Sequence, residues 1–198
     1  MSNKYSEKDF WTSKAFSEGY PARSVYKLEE INKKFSILTP NSNVLDLGAS
    51  PGSWTCYLLR NLGSTSQILA VDLKLLDEKI KDDRLCFIQG DLTAKNIFLQ
   101  VKEKAPFDIV LCDAAPYTTG NKSVDVASQN ALAELALYYA TNMLKKGGAF
   151  VTKIFQGSEL KNFIEQVRYS FVEVRTFKPK ACRKNSIETY VIAKNFKS

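Results

Sequence analysis

The sequence contains no histidine among its 198 residues. Histidine is the commonest general base and the usual partner that activates serine and cysteine nucleophiles. Its absence excludes those nucleophile pairs and leaves lysine, aspartate, glutamate and tyrosine for proton transfer. Cysteine is also scarce, since the four cysteines are widely spaced and form no C-x-x-C pair. We therefore expect no metal site and no disulfide framework.

The sequence also lacks long apolar runs. None reaches the length of a membrane span, and the first residues, MSNKYSEKDFW, lack the apolar core of a secretion signal. We therefore expect a cytoplasmic protein without a membrane anchor. No heptad pattern demands a second copy, which favours a monomer. Without repeats or linkers, the chain is expected to form one domain over residues 1–198.

Positive charge is in excess, with a formal net charge of +7 and an isoelectric point near 9.1. Such an excess favours a polyanionic partner, most plausibly nucleic acid. The basic residues gather in two clusters. Instead of binding nucleic acid, each cluster could be an ordinary solvated surface. The clusters comprise Lys4, Lys8, Lys14, Arg23, Lys27, Lys33 and Lys34 near the N-terminus, and Lys178, Lys180, Arg183 and Lys184 near the C-terminus.

Apolar, β-rich segments alternate with helical patterns along the chain. The predicted strands cover residues 43–49, 67–73, 84–91, 107–115, 149–155, 171–177 and 188–196, and the clearest helical patterns cover 24–35, 53–62, 125–146 and 158–170. This alternation predicts an α/β fold, a seven-stranded, mostly parallel, Rossmann-like sheet with helices on both faces. The connection between the last two strands is too short for a helical crossover, so we expect an antiparallel pair at one edge.

A glycine turn follows the first predicted strand, in DLGASPGSW (46–54). Gly48 and Gly52 allow a tight turn and a close approach of the backbone to a ligand. A dinucleotide fingerprint would need glycines where Ser50 and Ser53 stand, and no Gly-Lys-Ser/Thr of a P-loop is present. The turn therefore indicates a ligand without a pyrophosphate.

Two acidic residues end the next two predicted strands. Asp72 is placed to accept hydrogen bonds from ribose hydroxyls, and Asp91 could meet an adenine amino group. Together with the glycine turn they indicate a nucleoside cofactor such as S-adenosylmethionine. Trp54 is either a further contact to this cofactor or a core residue of the first helix.

Four charged residues are expected to converge near this turn. Lys153 lies inside an apolar strand, where it must either snorkel to water or serve a function at the strand end. Asp113 follows the apolar run IVLC near the end of the fourth strand, Glu188 begins the last, and Lys27 lies on the early helix. A lysine that acts as a base must be neutral. Burial and a nearby ammonium group favour the neutral amine, whereas nearby carboxylates favour the charged form.

These motifs resemble the FtsJ-like family of S-adenosylmethionine-dependent RNA ribose 2′-O-methyltransferases. The similarity is greatest to the bacterial branch, which methylates a uridine of large-subunit ribosomal RNA. It runs from EGYPARSVYKLEEI through LDLGASPGSW, VDL, FIQGD, CDAAP and VTKIFQG to KPKACRKNSIETYVIAKNFK. Its most specific feature is a Lys-Asp-Lys-Glu set, which falls here on Lys27, Asp113, Lys153 and Glu188.

The resemblance implies a role for each of these residues. Lys153 would accept the proton, Lys27 and Glu188 would position groups, and Asp113 would connect the catalytic lysine with the cofactor. The implied contacts to S-adenosylmethionine are Gly48, Gly52, Trp54, Asp72, Asp91 and Asp113. Arg23, Lys178, Lys180, Arg183 and Lys184 are expected to bind RNA, with residues 1–35 contributing to RNA binding and to the active site.

The sequence departs from the family pattern at a few positions. Pro21 stands where an additional arginine is usual, and Tyr117 stands where asparagine or aspartate usually follows the proline. Ser50 and Ser53 replace the common alanine and glycine. None of these changes removes a member of the Lys-Asp-Lys-Glu set, although the first puts one RNA phosphate contact in doubt.

Several functions other than ribosomal RNA methylation remain open at this stage. Within the family, the substrate could instead be transfer RNA or an mRNA cap. A catalytically silent RNA-binding relative is a second alternative, against which the complete charged set argues. An NAD-dependent dehydrogenase is disfavoured by the missing G-x-G-x-x-G pattern. The near-complete match to the bacterial branch favours ribosomal RNA of the large subunit.

Overall fold

A computed structural model of the protein describes residues 10–117, 119–183 and 185–197. Lys4, Lys8 and Lys184 lie outside these residues. The elements are α1 (Phe10–Ser17), α2 (Val25–Phe35), β1 (Val44–Leu47), α3 (Ser53–Asn61), β2 (Ile68–Asp72), β3 (Leu85–Gln89), α4 (Lys95–Lys102), β4 (Phe107–Cys112), α5 (Lys122–Met143), β5 (Leu144–Phe155), α6 (Glu159–Ser170), β6 (Phe171–Phe177) and β7 (Glu188–Phe196). Among the described helices, none has both the length and the apolar composition of a membrane span.

The seven strands form one sheet in the order β3-β2-β1-β4-β5-β7-β6. Strands β1 to β5 are parallel, and β7 runs antiparallel to both of its neighbours, β5 and β6. The predicted fold class and the antiparallel pair at one edge are confirmed. Within that pair β7 lies next to β5 and β6 forms the edge. The order reverses between β1 and β4, the point at which such sheets bind ligands.

Each face of the sheet is covered by its own set of helices. One hydrophobic core joins the sheet to α4, α5 and α6, and the other joins it to α1, α2 and α3. Side chains alternate between the faces along each strand, so Phe150 and Ile154 enter the first core and Val151 enters the second. Lys153 therefore faces the side of the sheet that α2 covers.

Some element boundaries differ from the predicted ones. Strand β5 begins at Leu144, because Leu144 already pairs with Phe107 before a shift of register that includes Gly147, whose φ is +79°. Helix α5 begins at Lys122, where the Asn121 side chain accepts the N–H groups of the first turn. The sequence patterns above do not predict α1 and α4.

Candidate active site

The glycine turn joins β1 to α3. Gly48 has a φ of +72°, and a Cβ atom on it would lie 2.5 Å from the Cα of Ala114. The turn after β1 and the loop after β4 thus approach more closely than a side chain permits. Gly52, with a φ of +108°, precedes the first residue of α3. Both glycines are required by the local conformation, since positive φ is strained for other residues.

Two neighbouring cavities open at the carboxyl ends of the parallel strands. The Asp91 cavity, of about 110 Å³, is lined by residues that include Gly48, Asp72, Gly90, Asp91, Ala114 and Leu132. The Tyr117 cavity, of about 510 Å³, is lined by residues that include Ser50, Asp72, Lys74, Asp113, Pro116 and Tyr117. Because Asp72 and Ala115 line both, the two cavities together form one candidate binding region.

Backbone N–H groups hold the two acidic residues of this region. The Asp72 carboxylate accepts the Ser50 N–H at 2.9 Å and the Lys74 N–H at 2.8 Å, one on each oxygen. The Asp91 carboxylate accepts the N–H and the hydroxyl of Thr93, and these hydrogen bonds lower the pKa of Asp91. Both side chains thus remain oriented acceptors at the ends of β2 and β3.

Trp54 and Gly52 are not among the residues that line either cavity. Trp54 is 2% exposed, and its indole N–H donates to the carbonyl of Ser24 at 2.9 Å. Its ring lies 5.9 Å from the ring of Tyr190. The structure places Trp54 in the core between α3 and the start of α2. Its direct contact with a cofactor stays a prediction.

The charged cluster of Lys27, Asp113, Lys153 and Glu188 is assembled in two ion pairs. Lys153 Nζ lies 3.2 Å from Asp113 Oδ1 and donates to the Asp113 carbonyl at 2.6 Å. Lys27 Nζ lies 2.9 Å from Glu188 Oε2. All four side chains are at most 15% exposed. The structure therefore brings together the four residues that the sequence placed on separate elements.

Tyr190 connects these two pairs, although the sequence analysis did not single it out. Its hydroxyl donates to Asp113 Oδ1 at 2.7 Å, and Lys27 Nζ lies 5.8 Å from the centre of its ring. In the antiparallel register of β5 and β7, Tyr190 stands opposite Lys153 and Glu188 stands opposite Phe155. Tyr190 follows Glu188 by two positions, so strand periodicity was an available sign that both share one face.

Asp113 and Lys27 are held in their charged forms, as the directions of their pKa shifts indicate. Burial raises the pKa of Asp113, but the ammonium groups of Lys153 and Lys27 and the Tyr190 hydrogen bond outweigh it, so the pKa is lowered. Burial lowers the pKa of Lys27, but attraction to Asp113 and Glu188 outweighs it, so this pKa is raised. Burial raises the pKa of Tyr190 well above 10, which keeps its hydroxyl a donor.

The loop between β6 and β7 carries the second basic cluster and is fastened to α2. The Glu30 carboxylate accepts the N–H groups of Lys180 and Ala181, each at 2.9 Å. The Arg23 guanidinium donates to the Ala181 carbonyl. Burial, followed by repulsion from Arg183, lowers the pKa of Arg23. Arg23 thus has a structural contact in this loop, and its predicted contact with RNA stays a prediction.

The remaining predicted RNA contacts lie on the surface of this loop. Lys178, Lys180 and Arg183 are exposed, and Lys178 Nζ donates to the Ser186 carbonyl at 2.6 Å. Lys184 lies outside the described residues. The exposed cations therefore stand on the loop that leads directly into Glu188. Glu30, which holds the loop, is three residues after Lys27 on α2, so both share one helix face.

A buried amide joins the two strand ends that carry Asp113 and Lys153. Gln129 of α5 is completely buried, and its Nε2 donates to the Lys153 carbonyl at 3.1 Å and to the Ala114 carbonyl at 3.3 Å. Nothing in the sequence pattern of α5 indicated this contact. Gln129 fixes the backbone of both strand ends from the face of the sheet opposite the charged cluster.

Asp46 is a further carboxyl group in the core below the glycine turn. It is 1% exposed, and its Oδ2 accepts the hydroxyl proton of Thr55 at 2.7 Å. Burial raises its pKa to about 7, with further contributions from the negative charges of Asp113 and Asp72. Asp46 therefore titrates near neutral pH.

A separate groove, of about 580 Å³, lies between α1, α3 and the loop after β2, and its lining includes Tyr20, Arg60 and Asp77. It contains no member of the charged cluster, so we assign the candidate active site to the Asp91 and Tyr117 cavities. Among residues 10–117, 119–183 and 185–197, no group of acidic and cysteine side chains is arranged to hold a metal ion.

The sheet is doubly wound, an acidic residue ends β2 and others follow β3 and β4, and the glycine turn is unsuited to pyrophosphate. These features fit the class of Rossmann-like methyltransferases. Comparison with known proteins gives the particular family. The FtsJ-like methyltransferase family matches residues 20–196, and the chain belongs to it.

Three relatives illustrate the relationship. The "Ribosomal RNA large subunit methyltransferase E" of Treponema denticola is 58% identical, covering 98% of each chain. The protein of the same name from Treponema pallidum (strain Nichols) is 46% identical, covering 98% of this chain and 97% of its own. A crystal structure described as a ribosomal RNA methyltransferase of Plasmodium falciparum has a TM-score of 0.77 at 31% identity, covering 89% of this chain and 98% of its own.

Proposed function

We propose that the protein transfers the methyl group of S-adenosylmethionine to the 2′-hydroxyl of a uridine ribose in 23S ribosomal RNA. The observation that carries the proposal is the buried pair of Lys153 and Asp113 at the Tyr117 cavity, with Lys27 and Glu188 beside it. The names of the two Treponema relatives support ribosomal RNA of the large subunit as the substrate.

The candidate cavities fit the proposed cofactor. Small residues, Gly48, Gly90 and Ala114, leave room beside Asp91 for a flat base. Asp72 presents an acceptor for ribose hydroxyls between the two cavities, and its orientation is fixed by two backbone N–H groups. Bound there, S-adenosylmethionine would supply a methyl group activated by a sulfonium. Gly52 and Trp54 support this region through the turn and the core.

In the proposed mechanism the protein aligns the ribose and removes one proton. As the 2′-oxygen bonds to the methyl carbon, the bond between that carbon and the sulfonium would break and leave S-adenosylhomocysteine, and the hydroxyl proton would pass to Lys153 Nζ in its neutral amine form. The ammonium so formed is held by the carbonyl and the carboxylate of Asp113. Tyr190 fixes that carboxylate, and the Lys27–Glu188 pair positions the ribose. Alignment and proton transfer together account for the catalysis proposed here.

Replacement of Lys153 by methionine tests the catalytic assignment. The assay follows transfer of a labelled methyl group to unmodified 23S ribosomal RNA and to large ribosomal subunits. We expect kcat to fall by about 10²- to 10⁴-fold, the usual effect of losing a general base. Calorimetric binding of S-adenosylhomocysteine should be unchanged. Lys146→Met, at an exposed position of the same strand, is the matched control.

The position of the label and the choice of RNA separate the alternatives. A 2′-O-methyl group blocks alkaline cleavage, so the label must appear in alkali-resistant dinucleotides. Label in a base would contradict 2′-O transfer, and unchanged turnover of Lys153→Met would contradict its role as the base. Transfer RNA and capped RNA, assayed in parallel, test the other substrates of this family. No transfer to any RNA would leave the silent RNA-binding relative.

The proposal extends to the working form of the protein. Residues 1–198 would act as one cytoplasmic, monomeric methyltransferase domain on the large ribosomal subunit, with residues 1–35 contributing to RNA binding and to the active site. Lys27 on α2 supports this contribution, because its ammonium group donates to Glu188 at the start of β7. Arg23, Lys178, Lys180, Arg183 and Lys184 would contact RNA phosphates. Each lost phosphate contact should reduce the salt dependence of RNA binding by about one ion.

A further inference from the structure

Tyr117 is an aromatic residue at the mouth of the candidate active site. It follows Pro116 in the loop after β4 and is 80% exposed. It lines the same cavity as Asp113 and Asp72. Exposure of one aromatic side chain is common on protein surfaces and means little by itself. Tyr117 is of interest because it lines the same cavity as the Asp113 carboxylate of the candidate active site.

A cation from another loop stands beside this ring. Lys74 is exposed in the segment after β2, and its Nζ lies 5.7 Å from the centre of the Tyr117 ring. The backbone of Lys74 is held in place, because its N–H donates to Asp72 at 2.8 Å. An aromatic face and an ammonium group therefore occur together on two loops that line one cavity.

This pair has the chemistry that recognises a nucleotide of single-stranded RNA. Nucleobases stack on aromatic side chains irrespective of sequence, and lysine contacts the phosphate. The cofactor base is a poorer candidate for this ring. Its proposed position is the Asp91 cavity, whose lining does not include Tyr117. Asp113, the partner of Lys153, lines the Tyr117 cavity, so this cavity is the candidate entrance for the RNA substrate.

We propose that Tyr117 and Lys74 form a nucleotide-binding subsite, in which Tyr117 stacks on a base of the RNA substrate and Lys74 contacts a neighbouring phosphate. The subsite rests on the proposed function, since it requires an RNA substrate at this cavity. Tyr117 is also a position at which the sequence departs from the asparagine or aspartate usual in the family. The subsite would hold the RNA near the reacting ribose.

The test compares variants of Tyr117 in RNA binding and in methyl transfer. With unmodified 23S ribosomal RNA as the probe, Tyr117→Ala should raise KM and the Kd for RNA by about 5- to 150-fold, the usual loss for one stacked base. Tyr117→Phe should bind like the wild type, because the ring remains. Tyr169→Ala is the matched control, since Tyr169 is 82% exposed on α6. Lys74→Met should lower the salt slope of binding by about one.

Three results would overturn the subsite while leaving the proposed function intact. Tyr117→Ala could bind RNA as tightly as Tyr169→Ala, or Tyr117→Phe could lose as much affinity as Tyr117→Ala. Tyr117→Ala could also lose affinity for S-adenosylhomocysteine, which would assign the ring to the cofactor. Failure of the wild-type protein to methylate any RNA would instead overturn the proposed function and the subsite with it.

Discussion

Asp46 should make the free energy of unfolding fall as the pH rises towards neutrality. Burial raises the pKa of this carboxyl from an ordinary value of 3.8 to about 7 in the folded protein. Between these values the unfolded chain has released the proton while the folded protein retains it. The unfolded state therefore binds fewer protons in this window, so stability declines with increasing pH and levels off above pH 7.

The magnitude follows from the difference between the two pKa values. A difference of about 3 corresponds to about 4 kcal/mol, at 1.36 kcal/mol for each pH unit. About 3 kcal/mol of this stabilisation is lost as the pH rises from 5 to 8. Asp46→Asn removes the titration and can still accept the Thr55 hydrogen bond. We expect its free energy of unfolding, relative to the wild type, to rise by about 3 kcal/mol between these pH values.

Urea titrations followed by tryptophan fluorescence at pH 5 and pH 8 measure this difference. Asp83→Asn, which replaces an exposed carboxylate, should not show the effect and serves as the control. Comparing each variant with the wild type at the same pH cancels the contributions of other titrating groups. If Asp46→Asn differs from the wild type by the same amount at both pH values, the argument that burial keeps Asp46 protonated is refuted.

Three further predictions concern the residues that hold the site together. Glu30→Gln should lower the free energy of unfolding by about 2 kcal/mol, since a charge-assisted hydrogen bond to the loop is lost. Glu29→Gln, exposed on the same helix, should change it by less than about 0.5 kcal/mol, and equal effects in urea titration would contradict the role of Glu30. Gln129→Leu removes a hydrogen bond from each of the Lys153 and Ala114 carbonyls, the first of which also accepts the Thr152 hydroxyl, so we expect a loss of about 1–3 kcal/mol and a lower kcat. Wild-type kcat in this variant would show that the strand ends need no such support. Lys27→Met and Glu188→Gln should each destabilise the protein by about 3–5 kcal/mol, because each removes one partner of a buried ion pair. The double variant should be less destabilised than the sum of the two, and strict additivity in the double-mutant cycle would argue against the ion pair.

The local motifs of the sequence predicted most of the fold and the four members of the charged cluster. Strand β2 ends at Asp72, and β4 ends at Cys112, three residues before the predicted end, so that Asp113 directly follows it. The strand order brings Lys153 beside Asp113. Such predictions succeed because a parallel sheet places every carboxyl end at one edge, so that strand position alone brings the residues together.

Contacts that depend on register or on distant elements could not be predicted in this way. The link from Tyr190 to Asp113 requires β7 to lie between β5 and β6 with Tyr190 opposite Lys153. Glu30 binds backbone N–H groups of a loop 150 positions further along the chain. Because nearly every residue has a backbone N–H, the residue types do not reveal which ones act as donors. The position of Trp54 was likewise undecidable, because an aromatic residue in an amphipathic helix suits either a ligand or a core.

The insertion of β7 between β5 and β6 has a consequence for how the chain is made. During synthesis β5 and β6 emerge before β7, so the edge of β5 stays unpaired until residues 188–196 have been added. An open strand edge is prone to pair with other chains, and nascent chains of this kind are exposed to aggregation. The strand that closes this edge also carries Glu188 and Tyr190. A chain that ended before β7 would therefore lack two residues of the candidate active site and expose an open strand edge at the same time.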